Sequence, residues 1–192
     1  MRGAALGALV WALLCAGMAH AQAPVGLDEL MQLLAKRTHG HVAFTEVHKI
    51  AMLKQPLTAS GELIYDAPDR LQKLTLAPRP ETLQLDHGAL TLERAHRKRV
   101  LALQDYPQVI PFVESIRATL AGDRAGLERY FNVHFTGTLA EWTLELQPRD
   151  PQVGATVRKV RISGAQNAIR TVEIEQSDGD ESILTIGADL AP

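Results

Sequence analysis

Apolar residues recur at every second position through most of this chain, and an extended strand with one buried face is the structure that a period of two demands. Leu57, Ala59, Gly61, Leu63 and Tyr65 alternate with Thr58, Ser60, Glu62, Ile64 and Asp66 until Ala67-Pro68-Asp69 breaks the run. Leu83 and Leu85, then Leu90 and Leu92, predict two short strands around an Asp86-His87-Gly88 hairpin turn, and Val100 to Leu103 a further one. The same period returns in Trp142, Leu144 and Leu146, in Val160 and Ile162, in Val172 and Ile174, and in Leu184 and Ile186. Turn residues separate these runs at Asp150-Pro151, Ser163-Gly164 and Ser177-Asp178-Gly179-Asp180. The pattern predicts an antiparallel meander in which each strand has one apolar and one polar face.

Helical spacing interrupts the strands twice. Leu27, Leu30, Met31 and Leu34 mark an opening helix over Pro24 to Arg37, with Asp28 and Glu29 in its first turn, Lys36-Arg37 in its last, and Gly40 as its stop. Near mid-chain, after Tyr106-Pro107, the residues Val109, Phe112, Val113, Ile116 and Leu120 form one apolar stripe. Asp123 is positioned to cap a second short helix carrying Leu127, Tyr130 and Phe131. No linker divides the chain, so the reading is one α+β domain.

Ala4 to Met18 is an uninterrupted apolar run behind Met1-Arg2, followed by Ala19-His20-Ala21. This is the form of a secretory leader and is too short to span a bilayer, which needs about 20 residues. We therefore expect a signal peptide over residues 1–21 and an exported, periplasmic domain over residues 22–192. The single cysteine, Cys15, falls within that leader, so the exported domain would carry no thiol and no disulfide framework. Twenty basic against 22 acidic residues argue against a nucleic-acid partner.

Chemistry-bearing patterns are sparse. His39, His41 and His48 are close in sequence, but on a strand His41 and His48 point to opposite faces, and turn or surface histidines explain them without a metal. Ser60-Gly61 and Ser163-Gly164 lack the Gly-x-Ser-x-Gly elbow, and no phosphate-binding glycine loop occurs. Glu93 and Asp105 have no fixed spacing as an acid–base pair. The expectation is a protein without catalysis, metal or cofactor. The basic run from Arg94 through Arg97, Lys98 and Arg99 is expected in a hairpin loop. It is either a solvated guard of the sheet edge or a docking patch for an acidic partner or anionic lipid headgroups.

His41-Val42-Ala43-Phe44-Thr45-Glu46 after the first helix, then Gly61 through Leu63, Tyr65 and Pro68 to Leu71, then Leu85-Asp86-His87-Gly88, resemble the corresponding elements of the LolA-type outer-membrane lipoprotein carriers. The resemblance covers most of the exported chain in element order and is that of a divergent member. It implies a half-open antiparallel β-barrel, or strongly curved sheet, with helices covering the concave face. It also implies a periplasmic carrier that binds the acyl chains of lipoproteins or related lipids and shuttles them toward the outer membrane. Such a carrier would have an inner-membrane donor, an outer-membrane acceptor and only transient membrane contact. Two positions depart from the family pattern. Ala67 stands where many carriers have an arginine bonded to the lid, and Leu71 is followed by Lys73 and Leu74 instead of an aromatic lining.

The cavity wall is expected from Leu63, Tyr65, Leu71, Leu85, Leu92, Val109, Phe112, Val113, Trp142 and Leu144. Patterning alone does not separate a hollow interior from a solid one, because both need the same apolar faces. The alternative is therefore an envelope protein-binding module with the same fold and a packed core.

Overall fold

The protein is described by a computed structural model over residues 26–95, 97–107 and 109–190. The expected leader, the boundary before Gln22 and the first residues of the opening helix lie outside the described residues. Helix α1 (Leu27–Leu34) buries Leu30, Met31 and Leu34, the face its spacing predicts. It is shorter than expected. The Arg37 N–H closes a last turn on the Leu34 carbonyl at 2.9 Å, the Arg37 guanidinium leaves to pair with Asp189, and Gly40 lies inside the first strand instead of stopping the helix.

Six strands follow: β1 (His39–Lys49), β2 (Leu57–Asp66), β3 (Arg70–Ala77), β4 (Glu81–Asp86), β5 (Ala89–Arg94) and β6 (Arg97–Ala102). A 3-10 turn (Leu103–Asp105), α2 (Ile110–Ala121) and α3 (Arg124–Tyr130) lead to β7 (Phe131–Thr138) and β8 (Glu141–Pro148). A single helical turn, α4 (Pro151–Gly154), precedes β9 (Val157–Ala165), β10 (Ala168–Gln176) and β11 (Glu181–Asp189). All eleven strands form one open antiparallel sheet in the order β6-β5-β4-β3-β2-β1-β11-β10-β9-β8-β7.

The β4–β5 turn forms where Asp86-His87-Gly88 predicts it. His87 and Gly88 take φ of 47° and 76°, the two left-handed residues of a type I′ hairpin. Two strands escape the sequence reading. On β3 the inward positions Leu71, Lys73 and Thr75 lose the apolar alternation, and β7 begins at Phe131, which the helical spacing from Leu127 had assigned to α3. The basic run is also placed differently from expectation. Arg94 ends β5, and Arg97, Lys98 and Arg99 lie on β6, an exposed edge strand instead of a loop.

Strong curvature follows from the register. Leu90 of β5 and Val172 of β10 line the same cavity, although six strand spacings of about 4.8 Å would separate them by roughly 29 Å in a flat sheet. Two glycines make room for the bend. Gly61 lies opposite Phe44, and a Cβ on it would meet the Leu74 carbonyl oxygen at 1.8 Å and Phe44 Cε1 at 3.0 Å. Gly164 lies opposite Trp142, whose ring would be 2.4 Å from such a Cβ. In each case an aromatic ring covers the space that a missing side chain leaves, at a position where two strands approach closely. Gly61→Ala is therefore expected to cost about 1–3 kcal/mol through overpacking against a backbone atom that has no way to retreat. The urea midpoint of the variant against the parent protein measures it.

Candidate functional site

The concave face is solid in one half and hollow in the other. Over β7 to β10, the residues Trp142, Leu144, Leu146, Val160 and Ile162 interlock with Leu30, Met31 and Leu34 of α1, Ala118 of α2 and Leu127 of α3. Over β1 to β5 only α2 lies above the sheet. It packs on α3 and α1, and its Ala118, Ile116 and Leu120 also join the packing of the solid half. A cavity of about 270 Å³ remains between α2 and these strands. Its wall comes from Val42 on β1, Leu63 and Tyr65 on β2, Leu71 on β3, Leu83 and Leu85 on β4 and Leu90 on β5, with Val172, Ile174, Leu184 and Ile186 from β10 and β11. Phe112, Val113, Ile116 and Leu120 form the roof.

Six residues expected in the wall are brought together there: Leu63, Tyr65, Leu71, Leu85, Phe112 and Val113. Leu92 sits one inward position beyond Leu90 and Val109 caps the start of α2; neither borders the cavity. Trp142 and Leu144 are in the solid half, not in the wall. Trp142 is 1% exposed, lies over Gly164 and donates its indole N–H to the Gln166 carbonyl at 2.9 Å, so its bulk fills the space that a leucine would have left open.

Polar groups flank the hollow at both ends. At the end where β1 runs into β2, Glu46 faces inward and is buried. Lys73 donates to Glu46 Oε2 and lies 5.1 Å from the centre of the Phe44 ring. The Ser182 hydroxyl donates to Oε1 at 3.0 Å, and His48 Nε2 is 3.2 Å from Oε2. Burial opposes the charge on Glu46, but Lys73, His48 and Ser182 outweigh it and hold the carboxyl below its ordinary value. The sequence reading treated Lys73 only as a thinning of the lining. The available signal was a charge at an inward position of an alternating strand, on both β1 and β3.

At the opposite end a polar cleft of about 330 Å³ lies beside the cavity and shares Leu85 with it. Arg117 of α2 makes a bidentate bond to Glu114 at 2.7–2.9 Å and reaches Asp123 at 3.0 Å, while Asp123 accepts from the Gly126 N–H and caps α3. That backbone bond and Arg117 together hold the Asp123 carboxyl below its usual range. Arg117 therefore ties the two lid helices together. Arg70, three residues past Ala67, stays half-exposed with its guanidinium 3.8 Å from Asp66. The Tyr65 hydroxyl is buried without a hydrogen-bond partner among the described residues, and burial pushes its pKa up.

His39, His41 and His48 each pair with a carboxylate: Asp66 at 2.6 Å, Glu62 at 2.9 Å and Glu46 at 3.2 Å. Among the described residues no three metal-ligating side chains converge.

Because the Glu46 pKa is depressed in the folded protein, the stability it contributes is fully present above the unfolded carboxylate value. It is lost as pH falls through the lower folded value. Glu46→Gln should accordingly flatten the acid limb of stability below about pH 4.5, read from urea midpoints across pH.

No curated protein sequence matches the chain. Among solved structures it is similar to a LolA superfamily protein from Nitrosomonas europaea, at 11% identity and TM-score 0.45, covering 88% of this chain and 94% of that one. It is also similar to the MucA/MucB complex of Pseudomonas aeruginosa, at 13% identity and TM-score 0.44, covering 86% of this chain and 58% of the other. LprF from Mycobacterium bovis gives 13% identity and TM-score 0.37, with 86% and 93% covered. The sequence itself matches, over residues 19–191, the family described as outer membrane lipoprotein carrier protein LolA-like. A match spanning nearly the whole chain means that this protein belongs to the LolA-like family.

Proposed function

We propose that this protein is a periplasmic carrier that takes up the acyl portion of a lipoprotein or related lipid between β1–β5 and α2 and releases it toward the outer membrane. Membership of the LolA-like family supports the coarser part of this reading, an envelope-related binding role. The observation that carries the finer part is the hollow itself: a largely apolar space over β1–β5 roofed by one helix, whose Phe112, Val113, Ile116 and Leu120 face the wall across it. Such a roof moves away without breaking a strand, which is what loading and unloading require.

Magnitudes are suited to this task. At about 0.8 kcal/mol per methylene, a 16-carbon chain gains on the order of 12 kcal/mol gross on burial, and ordering costs return part of it. The cavity of about 270 Å³ is just below the ~300–1,000 Å³ typical of small-molecule pockets. In the closed form it therefore suits one chain segment, and a larger cargo needs α2 to swing outward. The role is binding without catalysis, on a wall of aliphatic side chains.

Loading also needs a surface that meets a membrane. The β1–β2 loop, the β3–β4 connection and the β5–β6 hairpin all project from the Glu46–Lys73 end of the sheet. Met52 there is 95% exposed, with Leu57 and Leu76 more than half exposed. Arg94, Arg97, Lys98 and Arg99 lie on the adjoining strands, a combination suited to anionic headgroups at about 1 kcal/mol per basic residue.

Native mass spectrometry of protein taken from a Gram-negative periplasm without detergent should find a stoichiometric acylated species that denaturation releases. Leu63→Glu should lose that species while keeping its circular dichroism. An empty protein that offers a hydrophobic dye no saturable, competable site would instead support the protein-binding module. Arg97→Ser/Lys98→Ser/Arg99→Ser should weaken sedimentation with anionic vesicles at low salt and leave acyl binding unchanged; vesicle binding unaltered at every salt concentration would remove the docking patch.

A further inference from the structure

We infer that the cargo is a single-chain amphiphile with an anionic head, of the long-chain carboxylic acid class, whose carboxylate docks on Lys73. This deepens the carrier reading above and rests on it. Glu46 and Lys73 stand on the wall of a largely apolar space that Arg37, Gln72 and Asn167 also border, and burying such a pair is a poor way to gain stability, since apolar residues of similar size are often as good or better. The pair is also asymmetric. Both oxygens of Glu46 are supplied, Oε1 by Ser182 and Oε2 by Lys73 with His48 at 3.2 Å. Lys73 gives one of its three donors to Glu46, keeps about a quarter of its side chain exposed and lines the cavity. Glu46 is 8% exposed against 27% for Lys73, so the cluster offers a donor ahead of an acceptor to whatever enters, and that selects an anionic or strongly accepting group.

The surroundings fix the orientation of such a ligand. Lys73 stands opposite Leu63 on β2 and Leu83 on β4. A tail leaving the head at Lys73 runs toward Leu85 and lies beneath Phe112. In the closed form the volume suits one chain segment. Head and tail are thus matched by different strands of one wall, and selectivity resides in the charged end.

The test compares dodecanoate with 1-dodecanol, equal in tail and different in charge, titrated calorimetrically into delipidated mature protein. Dodecanoate should bind at least tenfold more tightly than the alcohol. That preference should vanish in Glu46→Gln/Lys73→Met, which removes both charges together, and should persist in Lys73→Arg. Equal affinities in the parent protein, or a preference that survives the double substitution in a folded variant, would overturn the headgroup assignment and leave the carrier reading intact. Binding of neither probe would overturn both.

Discussion

The pairing of β1 with β11, from Val42 opposite Asp189 to Lys49 opposite Glu181, joins two meanders that each fold from neighbours in sequence. One runs outward from β1 to β6 and the other inward from β7 to β11. Once the first and last strands are hydrogen-bonded in the middle, the chain leaving β6 has to reach β7 at the far edge. Ten spacings of about 4.8 Å would make that distance roughly 48 Å in a flat sheet. The connection across it carries α2 and α3, and the crossing lays both helices over the concave face.

The same arrangement divides the interior. Three helices contribute to the cover over β7–β10, where Trp142, Phe131 and Ile162 are buried among their side chains. Over β1–β5 a single helix, α2, faces the wall, and the space between them stays open. The Arg117 bonds to Glu114 and Asp123 tie α2 to the cap of α3 and join the lid to itself, not to the wall.

Charge inside the hollow fits a binding wall better than a folding core. A protein interior tolerates an ion pair best when its donors and acceptors are served, and here the partners differ in access: Lys73 is 27% exposed and Glu46 8%. Phe44 holds the Lys73 stem in place through its ring face while also covering Gly61. One aromatic residue thus supports both the bend of the sheet and the polar end of the cavity.

Much of this was legible in the sequence. Leucine alternation located β2, β4 and β5, the Trp142-to-Ile186 runs located β8 to β11, Asp86-His87-Gly88 specified its turn, and the stripe from Phe112 to Leu120 specified the lid. These are local signals, written by the periods of strand and helix and by the φ that a turn demands. What stayed hidden was non-local. Trp142 and Leu63 carry the same inward pattern, yet one fills a core and the other borders a cavity, because that outcome depends on how many helices cover each half. Lys73 and Glu46 are 27 residues apart and meet only when β1, β2 and β3 align. The sequence by itself determined which face of each strand is apolar; only the tertiary structure decided which part of that face is filled, since packing is set by the elements that topology brings opposite it.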